Sequence, residues 1–160
     1  MNLQKRLTLL FLEKHVVKIN NEAEFFTIDI KIQLNEMTYR VLIVDDEPLA
    51  QDVVETYITK IPELEVAGKC KNVIEAFNFL QKEKPDLILL DINMPEISGI
   101  DFLKNLSDKP RVVFTTAYAE YALEGFDLNV VDYLLKPFSF PRFLQAIQKF
   151  ISQLPTNIPI

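Results

Sequence analysis

The chain has 160 residues, 49% of them hydrophobic, enough for one domain with a proper core and too few to promise two. Its single cysteine, Cys70, excludes an intramolecular disulfide framework and fits a reducing, cytoplasmic setting. The net charge is −6; residues 1–36 hold five basic and five acidic residues, so the imbalance falls wholly within residues 37–160, and a surface of that sign repels nucleic acid.

The apolar run Leu7–Leu12 follows Lys5 and Arg6, but it is too short for a membrane span and lacks a small-residue cleavage site, so no targeting signal or membrane segment is read here. Leu3–Ile19 has the spacing of an amphipathic helix. Phe26, Ile28, Ile30, Ile32 and Leu34 alternate with polar neighbours, as in a half-buried strand. Residues 1–36 therefore stand as an extension ahead of Met37. Two accounts of it remain open: upstream sequence before a natural start at Met37, or a genuine extension that packs on a sheet edge or a partner.

From Tyr39 onward, short runs of Val, Ile and Leu alternate with segments of helical spacing. Strands are predicted at Arg40–Val44, Glu65–Cys70, Asp86–Leu90, Arg111–Thr115 and Val130–Leu135, and helices near 48–60, 73–83, 99–106, 119–126 and 140–153. Pro48 suits a first helical position, and Asn72, Ser98 and Ser139 suit N-caps. Five βα units with right-handed crossovers give an α/β fold: a doubly wound five-stranded parallel sheet of order 2-1-3-4-5, flavodoxin-like. The repeating unit spans 37–154, and 155–160, with Pro155 and Pro159, reads as the start of a linker or a frayed tail.

Ligands of an open α/β sheet bind beyond the carboxyl ends of its strands. Here the first strand runs into Asp45-Asp46, the third into Asp91, the fourth into Thr115-Thr116 and the fifth into Lys136-Pro137. Parallel strands end on one side, so these residues converge. Crowded carboxylates repel one another unless a cation is present, and a hard divalent ion such as magnesium takes oxygen ligands. An aspartate can accept a phosphoryl group covalently if lysine, hydroxyl and metal neutralise the moving oxygens. Singly, each feature has an ordinary structural explanation as a cap, a turn or strand composition; together, in this order at one sheet edge, they point to phosphoryl chemistry.

With those residues in view, residues 39–153 resemble a bacterial response regulator receiver domain (CheY-like). The resemblance rests on Val41-Leu42-Ile43-Val44-Asp45-Asp46-Glu47-Pro48, Leu89-Leu90-Asp91-Ile92-Asn93-Met94-Pro95 and Leu135-Lys136-Pro137-Phe138. It implies Asp91 as phosphoacceptor, magnesium held by Asp46 directly, by Asp45 partly through water, by Asp91 and by the backbone carbonyl of Asn93. It further implies Thr116 and Lys136 as partners of the phosphoryl group, Ala117 leaving room for it, a cis Lys136–Pro137 bond, and Tyr133 as an aromatic switch beside Thr116. The stretches Phe114–Ala122 and Val131–Phe138 look like the LytR/AlgR (LytTR) subfamily, whose members usually carry a DNA-binding domain after the receiver.

The resemblance thus implies a two-component phosphoacceptor that catalyses only its own phosphorylation and dephosphorylation, with a sensor histidine kinase as donor. It implies DNA contact only through an output domain outside this chain, which then reads as a fragment of a transcriptional regulator. Homodimerisation is expected through the face of the fourth helix, fifth strand and fifth helix, around Tyr121–Asp127, Tyr133 and Phe138–Phe143. A stand-alone receiver or a phosphorylation-independent pseudo-receiver are the alternatives. A metal-dependent phosphatase of the haloacid-dehalogenase kind fits poorly, because its nucleophile follows the first strand and a second acid stands two residues on, where this chain has Asn93. His15, the sole histidine, lies in the extension and is rejected as an internal phosphodonor.

Overall fold

The structure is a computed structural model that describes residues 15–21, 26–32, 38–121 and 128–155. The chain divides into two units, one within Met1–Met37 together with Thr156–Ile160, the other Thr38–Pro155.

In the first unit, β1 (His15–Asn21) pairs antiparallel with β2 (Phe26–Ile32), with Ile19 opposite Ile28 and Val17 opposite Ile30. The alternation from Phe26 to Ile32 forms the expected strand, but it is not half-buried at its centre, where Ile28 and Ile30 are exposed; Leu34 lies outside the described residues. The helix expected over Leu3–Ile19 is corrected for its last five residues, which are strand. Val16, Val17 and Ile19 are β-branched, losing side-chain freedom in a helix and fitting a pleated ladder. Residues 3–14 lie outside the described residues.

The second unit is built from β3 (Tyr39–Val44), α1 (Pro48–Ile58), β4 (Leu64–Cys70), α2 (Val73–Leu80), β5 (Leu87–Asp91), α3 (Gly99–Asn105), β6 (Val112–Thr116), β7 (Asp132–Leu135) and α4 (Phe140–Ser152). All five strands pair in parallel in the order β4-β3-β5-β6-β7, the expected 2-1-3-4-5 arrangement. Asn72, Ser98 and Ser139 each accept a backbone N–H of the following helix, and Pro occupies the first turn of α1. Part of the helix expected near 119–126, residues 122–127, lies outside the described residues.

Alternation along the strands divides the core between two faces. Val41, Ile43, Leu87, Leu89, Val113 and Leu134 pack with Val54 and Ile58 of α1 and with Phe143, Ala146, Ile147 and Phe150 of α4. Leu42, Val44, Ile88, Leu90, Val112 and Phe114 pack with α2 and α3 on the other side. Covered on both faces, β5 and β6 are buried along their whole length, which is why they read as continuous apolar runs. Among the described residues no helix is long and apolar enough to cross a membrane.

Candidate functional site

β3, β5, β6 and β7 all stop at the same edge, so the polar residues that follow their apolar runs meet there. Asp45, Asp46 and Asp91 each bring a carboxylate oxygen within 4.8 Å of the others. Asp45 and Asp91 are buried, at 3% and 4% exposure, whereas Asp46 is exposed. Lys136 reaches in from the end of β7: its Nζ is 2.7 Å from Asp45 Oδ2 and 3.4 Å from Asp91 Oδ1, with Glu47 at 3.9 Å. The Lys136–Pro137 peptide is cis, as the resemblance implied.

The turn after β3 is an Asx turn. Asp45 Oδ1 accepts the Glu47 N–H at 3.0 Å, bending the chain into α1, whose N-cap Glu47 makes no side-chain cap of its own. After β5 the chain turns back tightly: the Gly99 N–H donates to the Ile92 carbonyl at 2.9 Å, and Glu96 takes a left-handed backbone conformation, φ 70°, directly after Pro95.

Electrostatics follow from this crowding. Burial pushes the Asp91 carboxyl up to about 6; the Lys136 charge opposes the rise, Asp45 adds to it, and the Asn93 N–H again opposes it. Burial pulls the Lys136 ammonium down, but its hydrogen bond to Asp45 and the charge of Asp91 outweigh that and raise it above its ordinary value. Three carboxylates face one ammonium, so the pocket carries surplus negative charge on hard oxygen donors. That donor set fits a hard divalent cation such as magnesium and does not suit a soft one.

The other expected residues are placed as follows. Thr116 ends β6 beside Lys136, whose N–H donates to the Thr116 carbonyl at 2.7 Å. Its hydroxyl accepts the Tyr118 N–H at 3.0 Å and so faces the loop after β6. Tyr133 lies in β7 with its ring 5.5 Å from that of Phe114; its hydroxyl is buried without a partner among the described residues. Phe143 is core, and Phe138 and Phe140 pack on Tyr57. Phe126 and most of the Tyr121–Asp127 stretch lie outside the described residues.

Sequence reasoning missed two residues. Gln51 bridges the ends of β3 and β4, and Gly99 backs onto Asp91. Gln51 gave no signal, since a glutamine on a half-exposed helix position is ordinary. Gly99, one of three glycines in the chain, stands directly after an N-cap serine where any good helix former would serve, and that oddity was readable.

The model of the response regulator receiver domain matches residues 41–148. The chain belongs to the response regulator receiver family. As a receiver domain it is a phosphoacceptor module of two-component signalling rather than a conventional enzyme. It is similar to the sensory transduction protein LytT of Bacillus anthracis, 38% identical, covering 74% of this chain and 50% of that protein. It is also similar to the transcriptional regulatory protein BtsR of Escherichia coli, 37% identical, covering 74% and 54%. The receiver chain thus spans about half the length of these curated relatives. Among solved structures, the response regulator TrrA of Thermotoga maritima, crystallised with Mg2+ and BeF, superposes with a TM-score of 0.63 at 26% identity, covering 71% of this chain and 99% of that one.

Proposed function

We propose that Asp91 accepts a phosphoryl group from the phosphohistidine of a sensor kinase, and that Asp45, Asp46, Asp91 and the Asn93 backbone carbonyl hold a magnesium ion beside it. The observation that carries this reading is the convergence of three carboxylates and Lys136 in one pocket at the strand ends. Bound there, the ion would neutralise charge on the phosphoryl oxygens.

In the transfer an Asp91 oxygen forms the bond to phosphorus while the phosphorus–nitrogen bond of the donor breaks and the electron pair stays on the imidazole. Lys136, already between Asp45 and Asp91, turns toward the new dianionic group and pairs with it. The Thr116 hydroxyl leaves Tyr118 to donate to a phosphoryl oxygen, and Ala117 leaves room for that approach. Tyr133, on the adjacent strand, reads the movement of Thr116 and passes it to the face made by the fourth expected helix, near 119–126, with β7 and α4, where a second copy binds.

An open groove of about 620 Å³, lined by Leu49, Val53, Tyr57, Pro137 and Phe138, reaches Lys136 at the pocket mouth and gives a donor protein an apolar surface on which to rest. By likeness to LytT and BtsR, the output is transcriptional regulation through a LytTR-type DNA-binding domain, in the cytoplasm. The repeating unit from 37 to 154 is the receiver, with 1–36 as an extension of either origin and 155–160 as the start of a linker or a frayed tail.

Intact-mass spectrometry after incubation with acetyl phosphate tests the chemistry. One magnesium-dependent phosphoryl adduct is expected on the protein and none on Asp91→Asn. An equally stable adduct on Asp91→Asn would contradict the assignment.

A further inference from the structure

Gln51 lies in the first turns of α1, half-buried, and its side-chain hydrogen bonds go to backbone carbonyls. Its Nε2 carries two hydrogens and both are engaged: one donates to the Asp45 carbonyl at 2.7 Å, the other to the Cys70 carbonyl at 3.0 Å. The Cys70 carbonyl also accepts the Asp45 N–H at 3.0 Å. The pairing of β3 with β4 ends at Val44 and Cys70. The side-chain amide therefore adds one more rung, at the residue where the strand becomes the acidic turn.

The consequence falls on Asp45 and Asp46. A carboxylate's aim is set by its backbone, and here the carbonyl of the buried Asp45 is tied on one side while its Oδ1 is held by the Glu47 N–H and its Oδ2 by Lys136. The peptide that Gln51 grips is the one joining Asp45 to Asp46, so the grip fixes both side chains at once. Outer-shell partners of metal-ligating groups commonly set affinity by such orientation.

We infer that Gln51 is a positioning residue for the cation site, aiming the Asp45–Asp46 pair at Asp91 before any ligand arrives. The inference rests on the proposed cation-binding function of the pocket. A purely structural staple between α1 and the sheet would lower stability without changing how the folded protein holds magnesium.

The test uses the full chain, Gln51→Met, which keeps length and loses both donors, and Gln51→Asn, which is one methylene shorter and reaches at most one carbonyl. Magnesium affinity is measured by titration calorimetry, and Glu47 amide exchange by NMR in chelator. Gln51→Met is expected to bind magnesium about tenfold more weakly, and Gln51→Asn less markedly so. Glu47 exchange should quicken in both without metal. Phosphorylation by acetyl phosphate should need more magnesium to half-saturate, with the rate at saturating magnesium little changed. Unchanged affinity in both variants would overturn the inference, as would a rate loss that excess magnesium does not relieve. Failure of the unsubstituted protein to bind magnesium would instead overturn the cation reading itself, before any variant is compared.

Discussion

Gly99 stands so close to Asp91 that a Cβ at residue 99 would lie 2.2 Å from the Asp91 carbonyl oxygen and 3.1 Å from its carbonyl carbon. The requirement is one of space, since no described glycine has a positive φ. The neighbour is backbone of a buried strand and cannot turn aside as a side chain would. Gly99→Ala should therefore cost about 2–3 kcal/mol, the upper part of the range for overpacking, and displace Asp91. Urea unfolding with acetyl phosphate labelling checks both; unchanged stability would mean that the close approach is relieved elsewhere.

Asp91 links pH to stability. Its carboxyl is pushed by burial from an ordinary 3.8 up to about 6, so the folded state binds the proton more tightly than the unfolded chain. The resulting stabilisation is complete below the ordinary value and is lost as pH rises through about 6. In chelator at pH 7.5 the ionised side chain is a burden that Asp91→Asn removes, so the variant should be more stable by on the order of 1–3 kcal/mol. The advantage should shrink toward pH 4, and on adding magnesium at pH 7.5. Denaturation curves at both pH values, with an equal advantage at each, would refute the linkage.

The buried Tyr133 hydroxyl has no partner among the described residues. A buried polar group left unpaired costs about 1–3 kcal/mol, and Tyr133→Phe removes it while keeping the ring against Phe114. The variant should be as stable as the parent or more so, by up to about 1 kcal/mol. Thermal unfolding decides it: a substantial loss would reveal a hydrogen bond made by that hydroxyl.

Glu96 adopts φ 70° in the turn that follows Asp91. Such a backbone costs a residue with a Cβ roughly 1–2 kcal/mol, partly offset on replacement by the greater freedom glycine loses on folding. Glu96→Gly should thus raise stability by up to about 1 kcal/mol without moving Asp91. Calorimetry showing a lower melting temperature would mean that the Glu96 side chain contributes more than its backbone costs.

The fold was legible because its central strands β5 and β6 are buried on both faces, leaving uninterrupted runs such as Leu87–Leu90 and Val112–Phe114, while its helices begin with recognisable caps at Asn72, Ser98 and Ser139. The carboxylates and Lys136 were legible because parallel topology sends every strand end to one edge. What escaped was local: Gln51 acts through backbone carbonyls that no residue pattern displays, and Gly99 through a distance set by tertiary packing. The strand His15–Asn21 was missed because helical spacing of apolar residues outweighed the β-branched character of Val16, Val17 and Ile19.

The ion pair between Asp45 and Lys136 spans 91 positions of sequence, from the first strand of the parallel sheet to the turn after its last. During synthesis the acidic residues leave the ribosome long before their counter-charge does. A nascent or prematurely ended chain that stops short of Lys136 has every carboxylate and no ammonium among them, so it lacks the group that would pair with a phosphoryl oxygen. On the proposed role of Lys136, phosphoryl acceptance therefore waits until the chain has passed the last strand of the parallel sheet, and shorter copies carry the acidic pocket without its counter-charge.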